Sequence, residues 1–418
     1  MIRILHTSDW HLGLELGGHD RLWEQAQFLD WLLETCRKRS IDALLVAGDV
    51  YDSANPSLAA QKLFHGFLAR FHQEMPGSQL VVVAGNHDSG ARLELPRPFG
   101  LALGDIHLAG TLRSDDPGLL DKHLIRLTDR AQSPAAWVLA VPFLRAEALQ
   151  CRITGEESVE QAYLQSVAAL HETLRAQAQA RDPELPVITM GHLTLAGSDR
   201  AGSERILIGG VESVPVSTLA TGSDYVALGH IHRAQTVGSE HVRYSGSPLP
   251  IDFDERSYRH QVCVVELDGP GQPVRIESVA IPRPVPFLRF GEPPCPWSEL
   301  EGLVEAYDWT PWQELPREQH PFVDLQILAD SPVPDLRERC ERLCQGKPFR
   351  LVGSPRMHRP RSEAEAPVAI ESDLSSSAAP LELLRHHWRR TWQTEPEPAV
   401  EDCFREILDQ LHMERKSP

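Results

Sequence analysis

The chain has 418 residues, 41% hydrophobic and 24% charged, with a formal net charge of -18. That length exceeds one compact core and predicts two or three domains. The ordinary hydrophobic fraction, without any run of about 18 apolar residues, excludes a membrane-spanning helix from the expectation, and the acidic balance excludes a protein that grips nucleic acid by bulk charge alone.

Met1-Ile2-Arg3-Ile4-Leu5-His6 shows no basic region, long apolar stretch or small-residue cleavage site, so no signal peptide is expected and a cytoplasmic location is. Strand-length apolar runs follow in order: Ile2 to Leu5, Ala43 to Ala47, Leu80 to Ala84, Trp137 to Val141, Val187 to Met190, Tyr225 to Leu228 and Gln261 to Leu267. Helix-like stretches, Asp20 to Lys38 and Pro56 to Phe71, separate the first three and are long enough to cross over between parallel strands. The pattern predicts an α/β layered domain over residues 1–280.

Beyond Ile281, six prolines between Pro282 and Pro296 mark a junction. A small α+β cap is expected over 281–354, from strand-like Phe322 to Leu328, helix-like Asp335 to Cys344 and strand-like Phe349 to Val352. Residues 355–379, rich in Ser, Pro, Ala and Glu, read as a linker. Two amphipathic helices are expected in 380–418, one carrying Leu381, Leu384, Trp388 and Trp392, the other Phe404, Ile407, Leu408 and Leu411. Helices tethered this way need a groove on a partner or on their own cap. Seven scattered cysteines without a C-x-x-C pair read as cytosolic thiols.

Chemistry-bearing residues sit where the strands end. Asp9-Trp10-His11 follows the first run, Gly48-Asp49-Val50-Tyr51-Asp52 the second, Gly85-Asn86-His87-Asp88 the third, Gly191-His192 a later one and Gly229-His230-Ile231-His232 the last. Ligands in open α/β sheets bind beyond the carboxyl ends of strands, so these clusters are expected to converge. Residues two apart in extended chain face the same side, which lets Asp9 pair with His11 and His230 with His232. A single His or Asp after a strand is more often a turn former, a helix cap or a core residue. Five such clusters in series point to one metal site.

The order D-x-H, GD-x-x-D, GNHD, GH, GH-x-H resembles the calcineurin-like metallophosphoesterases. Thr7-Ser8-Asp9-Trp10-His11-Leu12-Gly13, Gly191-His192-Leu193-Thr194, Gly229-His230-Ile231-His232-Arg233-Ala234-Gln235 and Val242-Arg243-Tyr244-Ser245-Gly246-Ser247-Pro248, followed by Asp252-Phe253-Asp254-Glu255, are similar to SbcD-type nuclease subunits. The resemblance implies a layered β-sandwich flanked by helices. It implies one metal held by Asp9, His11, Asp49 and His232, and a second by Asp49, Asn86, His192 and His230. Two divalent ions bring four charges and the carboxylates of Asp9 and Asp49 return two, which leaves about two for a phosphodiester and activated water. It further implies that His87 faces the scissile phosphate with Asp52 orienting its imidazole, that the metal is Mn(II), and that the chain works in DNA repair as a homodimer with an SbcC-type ATPase in a heterotetramer. Duplex 3′→5′ exonuclease and hairpin endonuclease activities are implied in the same way.

Arg233 and Tyr244 are candidate DNA contacts, with surface or packing roles equally open, and Arg205 is a third candidate on the segment Gly197 to Gly210, which reads first as a solvated loop. Leu58, Leu63, Phe64, Phe67, Leu68 and Phe71 suit either a core face or a dimer contact. The sequence holds no G-x-x-x-x-G-K-[ST], so ATP dependence would come from the partner. Two rival readings stay open: a metallophosphoesterase acting on cyclic nucleotides or phosphoproteins, and a scaffold without catalysis.

Overall fold

The computed structural model describes residues 1–116, 118–146, 148–149, 158–199, 213–329, 333, 335–358, 380–381, 384–385, 388–389, 395–396 and 398–414. Arg205, Cys151, Trp392 and most of the expected linker lie outside them. The chain divides into two units. The first comprises Met1–Phe287, Thr310–Phe322 and Pro348–Gly353, and the second Leu288–Trp309, Val323–Lys347 and Ser354–Pro418.

In the first unit, β1 (Ile2–Thr7), β2 (Ala43–Ala47), β3 (Gln79–Val83) and β4 (Ile106–Ala109) run parallel. With β11 (Gln261–Leu267) and β12 (Arg275–Ala280) they form a sheet of order β12-β11-β1-β2-β3-β4. A second sheet has the order β5-β6-β7-β8-β10-β9, from β5 (Leu124–Thr128), β6 (Pro134–Ala140), β7 (Val187–His192), β8 (Tyr225–Gly229), β9 (Gln235–Val237) and β10 (Ser239–Tyr244). Strands covered on both faces need apolar residues at every position, which is why Ala-Leu-Leu-Val-Ala of β2 and Leu-Val-Val-Val of β3 show no alternation.

The sheets share a buried layer in which Ile4, Leu45, Val81 and Val83 meet Val138, Ile188, Met190 and Ala227. The outer face of the first sheet is covered by α1 (Leu22–Lys38) and α2 (Leu58–Glu74), through Phe28, Leu32, Phe64 and Phe71. That of the second is covered by α3 (Val159–Arg181), through Tyr163, Val167, Leu170 and Leu174. Each helix repeats its apolar residues at three- or four-residue intervals, giving one buried stripe. Ser57 caps α2 by accepting from Ala60 N, and Ser158 with Gln161 closes a capping box on α3.

The arrangement is thus a β-sandwich between helical layers. The five ligand-bearing strands are shared between two sheets, β1 to β3 in one and β7 and β8 in the other, in keeping with the expected sandwich. Phe64, Phe67, Leu68 and Phe71 are buried in the core, so their face of α2 is committed to packing, while Leu58 is 67% exposed.

Residues 310–322 and 348–353, expected in the cap, pack in the first unit. Phe322 and Val352 join Leu16, Phe253, Val285 and Phe287 in an apolar cluster. Beneath it Glu24 bonds Arg21 (Oε2 to Nη2, 3.0 Å) and faces Arg350 (Oε1 to Nη2, 3.5 Å), all three side chains at most 3% exposed. The Arg350 guanidinium lies 3.7 Å from the Phe322 ring centroid.

In the second unit, β13 (Phe287–Cys295) pairs with β14 (Phe322–Leu328), and the short strand Arg356–His358 runs parallel to β14. Helices Trp297–Ala306 and Leu336–Cys344 accompany them, and the helix Pro398–Glu414 is tied to Arg385 by two bonds to Glu401. No helix of the described residues is long and apolar enough to cross a membrane.

Candidate metal centre

The loops leaving β1, β2, β3, β7 and β8 meet at the carboxyl ends of their strands. Asp9 N donates to Gly48 O (2.9 Å) and His11 N to Asp49 O (3.0 Å), joining the first two loops. His87 N donates to Asp49 Oδ1 (2.8 Å), and His230 N to Asp9 Oδ1 (2.9 Å) from the other sheet. Asp88 fastens the second loop to the third, its carboxylate accepting from Val50 N (3.1 Å), Tyr51 N (2.9 Å) and Gly85 N (2.9 Å). Burial and the nearby Asp49 nevertheless push Asp88 up to about 6.

Missing side chains make the approach possible. A Cβ on Gly85 would sit 2.1 Å from Asp49 Oδ1, one on Gly48 2.2 Å from His192 Nδ1, and one on Gly229 1.9 Å from Ala47 O. Conversely, Asp9, His11, Asp49 and His230 all adopt positive φ, at 54°, 44°, 47° and 96°. Strain of this kind collects at functional sites, where the surroundings over-determine it.

Ligand atoms of Asp9, His11 and His232 lie within 4.8 Å of one another, and so do those of Asp9, Asp49 and His192. Asp49 Oδ2 is 3.2 Å from His192 Nε2 and 3.7 Å from His11 Nε2. Asn86 Oδ1 lies 3.0 Å from His192 Nε2 and 2.9 Å from His230 Nδ1. All seven residues named from sequence are therefore brought together. His11 Nε2 is buried with no hydrogen-bond partner, an arrangement a protein sustains when the nitrogen serves another ligand. Behind the rings, His192 Nδ1 meets Ala47 O (2.9 Å), His232 Nδ1 meets Glu255 Oε1 (2.9 Å) and His11 Nδ1 meets Asp52 Oδ1 (3.2 Å). Imidazoles that bind metal are oriented this way through their second nitrogen.

The field inside is strongly receptive to positive charge. Burial alone would lower His192, yet the carboxylates of Asp49 and Asp9 hold it up to about 9. Burial and the His192 charge push His230 down to about 3. Asp49, despite its burial, is driven well below the usual carboxylate range by His192, His11 and His87. Carboxylate, amide and imidazole donors without thiolate fit divalent first-row cations.

His87 reaches Asp52 through its backbone, Nδ1 lying 2.8 Å from Asp52 O, while the Asp52 carboxylate meets His11. Tyr244 corrects an expectation: it is fully buried, its hydroxyl donating to Leu193 O (2.8 Å) and accepting from Leu195 N (2.8 Å), so packing between loops replaces the DNA contact considered for it. Arg233 is exposed, 3.8 Å from Asp199 and over the Tyr258 ring at 5.9 Å. The structure gives roles to two residues that the motifs include without one, Asp88 and Glu255, and adds Gln25, which accepts from Gly13 N (2.9 Å) and donates to His11 O (3.0 Å).

Comparison with known families agrees with this geometry. Residues 2–234 match the calcineurin-like phosphoesterase family, and residues 284–391 a family described as the type 5 capsule protein repressor C-terminal domain. The SbcD subunit of the SbcCD nuclease of Rhodobacter capsulatus is 41% identical over 84% of this chain and 86% of its own length. The chain belongs to the SbcD nuclease-subunit family. Members from Escherichia coli K12 (34% identical, 90% of both chains) and Bacillus subtilis (33% identical, 79% of this chain and 80% of that one) align similarly. Family membership and the His/Asp clusters together establish a site for divalent metal.

Proposed function

We propose that the chain is the nuclease subunit of an SbcCD-type complex, hydrolysing DNA phosphodiesters at this centre. The observation that carries the reading is the meeting of seven donor residues from five loops, with Nε2 of His11 buried there without a hydrogen-bond partner. Asp9, His11, Asp49 and His232 would hold one cation, and Asp49, Asn86, His192 and His230 the other, with Asp49 shared. A pair of divalent ions supplies Lewis acidity and lowers the pKa of water, and Mn(II) suits this mixed imidazole and carboxylate set.

The remaining steps fall to side chains. Bonded to Asp52 O through Nδ1, His87 presents Nε2 as its exchangeable nitrogen, and this nitrogen stabilises charge on the phosphate or protonates the leaving sugar oxygen. Asp52 serves twice, its carbonyl on His87 and its carboxylate on His11. Arg233, and Arg205 outside the described residues, contact DNA phosphates.

The acidic chain obtains its affinity for a polyanion from the cations and from its partner. That partner is an SbcC-type ATPase, engaged by residues 380–418, where the helix Pro398–Glu414 leaves Ile407 47% exposed, and it confers ATP dependence. Two copies of the chain associate through the apolar row Leu95, Phe99 and Leu103, which is 65%, 75% and 49% exposed. The assembly is cytoplasmic and processes duplex ends 3′→5′ and hairpins. Of the residues expected in the cap, 281–354, those in the second unit form it, Leu288–Trp309 and Val323–Lys347, joined by the strand Arg356–His358. Residues 359–379 of the expected linker, 355–379, lie outside the described residues.

The deciding experiment offers end-labelled duplex, hairpin DNA and bis-p-nitrophenyl phosphate to the purified chain, with and without the ATPase, Mn(II) and ATP. Metal-dependent DNA cleavage is expected. Hydrolysis of the small ester alone would select a different substrate class, and no hydrolysis at all a scaffold. Ending the chain near residue 375 is expected to spare ester hydrolysis and abolish co-purification with the ATPase.

A further inference from the structure

The imidazoles around the centre are not held alike. His192 rests on a neutral carbonyl, Ala47 O at 2.9 Å. His232 rests on a carboxylate that the fold has buried for the purpose: Glu255 Oε1 lies 2.9 Å from His232 Nδ1, with the two side chains 2% and 4% exposed. The other oxygen, Oε2, accepts from Ile251 N at 2.8 Å. Glu255 stands on the single 3-10 turn Phe253–Ser257, whose Phe253 packs on Phe287 with ring centroids 5.3 Å apart. Its carbonyl faces His260 Nε2 at 3.3 Å, and Arg21 Nη1 bonds Pro250 O at 2.5 Å just before the turn. A buried carboxylate costs several kcal/mol unless its acceptors are used. Here one oxygen fixes the turn and the other fixes the histidine.

We propose that Glu255 is a positioning residue for His232, holding the ring in the Nδ1–H tautomer so that Nε2 is delivered to the position shared with Asp9 and His11. The ring centroids of His11 and His232 lie 5.2 Å apart, and one ligand atom from each of Asp9, His11 and His232 lies within 4.8 Å of the others. Rotation of the His232 ring would withdraw its nitrogen from that group. The effect is confined to one of the two cation positions, since His192 and Asn86 belong to the other. The inference rests on the two-cation reading and adds to it a determinant of unequal binding.

A glutamine amide in place of the Glu255 carboxylate could not do the same work, because the two donors, His232 Nδ1–H and Ile251 N–H, meet separate oxygens, and the amide would turn an NH2 donor toward one of them. Mn(II) is titrated calorimetrically into the metal-free full-length chain as wild type, Glu255→Gln and Asp254→Asn. Asp254 is the exposed neighbour on the same turn and controls for loss of one negative charge. Wild type and Asp254→Asn are expected to bind two ions alike. In Glu255→Gln one binding step weakens by about 10- to 100-fold while the other keeps its affinity. Nitrogen NMR of the metal-free protein is expected to show His232 as the Nδ1–H tautomer in wild type and as a mixture in the variant.

Two unchanged steps in Glu255→Gln, or equal weakening of both, would overturn the proposal. Thermal melts of the metal-free forms separate folding from positioning. If Glu255→Gln does not fold, Glu255→Asp is read in the same way, and collapse of both assigns Glu255 to folding and overturns the proposal. A wild type that takes up no pair of ions would instead refute the two-cation reading.

Discussion

Gly85→Ala tests the geometry of the centre with a single methyl group. The new Cβ would lie 2.1 Å from Asp49 Oδ1, 2.3 Å from Asp49 N and 2.6 Å from Asp49 Cγ, where ordinary contact begins at 3.4 Å. The carboxylate must therefore retreat by about 1.3 Å. Rotation alone does not relieve the clash, because the backbone nitrogen of Asp49 is struck as well. A metal site tolerates departures of only about 0.2 Å in ligand distance, so the shared carboxylate leaves both positions together. Overpacking of this kind costs about 1–3 kcal/mol of stability, which a domain of this size survives. The expected result is a folded protein with both Mn(II) affinities and ester hydrolysis severely reduced. Gly66→Ala is the control: Gly66 lies in the exposed middle of α2 with nothing within 4 Å of a built Cβ, and the substitution is expected to stabilise by about 0.5–1 kcal/mol. Two-ion binding at wild-type affinity in Gly85→Ala would refute the convergence of loops on Asp49.

His87→Ala is expected to keep both Mn(II) binding steps while turnover falls by about 10²- to 10⁴-fold, and a variant with wild-type turnover would remove His87 from the chemistry. Tyr244→Phe deletes a hydroxyl bonded to Leu193 O and Leu195 N, so urea unfolding is expected to show a loss of about 1–3 kcal/mol with no change in the salt dependence of DNA binding. A shallower salt slope would return Tyr244 to the DNA interface. Glu24→Gln leaves Arg21 and Arg350 buried without their carboxylate and is expected to cost about 3–5 kcal/mol by the same measurement, whereas a cost below about 1 kcal/mol would show the cluster to be energetically idle. Burial pushes His171 from 6.5 down to about 4, so the unfolded chain binds the proton first as the pH falls. Its stabilising contribution is complete above pH 6.5 and is lost toward pH 4, with a limiting slope of about 1.4 kcal/mol per pH unit that His171→Leu should remove. Identical slopes in the two proteins would count against it.

The readability of this site from sequence follows from where apolar demand is greatest. β2 and β3 are covered on both faces, so their runs stand out, and the next polar residues mark the strand ends where Asp49 and Asn86 sit. Which sheet a run joins is not encoded in its own residues, and the separation of β7 and β8 from β1 to β3 appears only once the layers are stacked. The 23-residue helix α3 escapes notice because alanine and glutamine dilute its stripe of Tyr163, Val167, Leu170 and Leu174. β13 escapes because its prolines read as a junction. The role of Glu255, though its motif is visible, is hidden for another reason: a glutamate between Asp254 and Arg256 reads as surface, and its burial beside His232 and the buried Phe253 shows only in the fold. The return of residues 348–353 to the first unit depends on Glu24, more than 300 positions away, meeting Arg350.

Asp9, His11, Asp49 and His230 share a conformation that side chains avoid, and each costs on the order of 1–3 kcal/mol. Four independent penalties of that size would rival the whole stability of a domain. They persist because the bonds that hold each loop come from another loop: Gly48 O holds Asp9, Asp49 O holds His11, and Asp9 Oδ1 holds His230 across the sandwich. No loop can relax alone without stripping a partner from its neighbour, so the strain is maintained collectively by the two sheets. A centre built this way is organised before any ion arrives, and the carboxylates that draw cations in are also the hydrogen-bond acceptors that keep the loops together. Neutralising Asp9 or Asp49 therefore removes charge and scaffold at once, while Glu255 and Gln25, which touch the ligands only from behind, allow the two contributions to be separated.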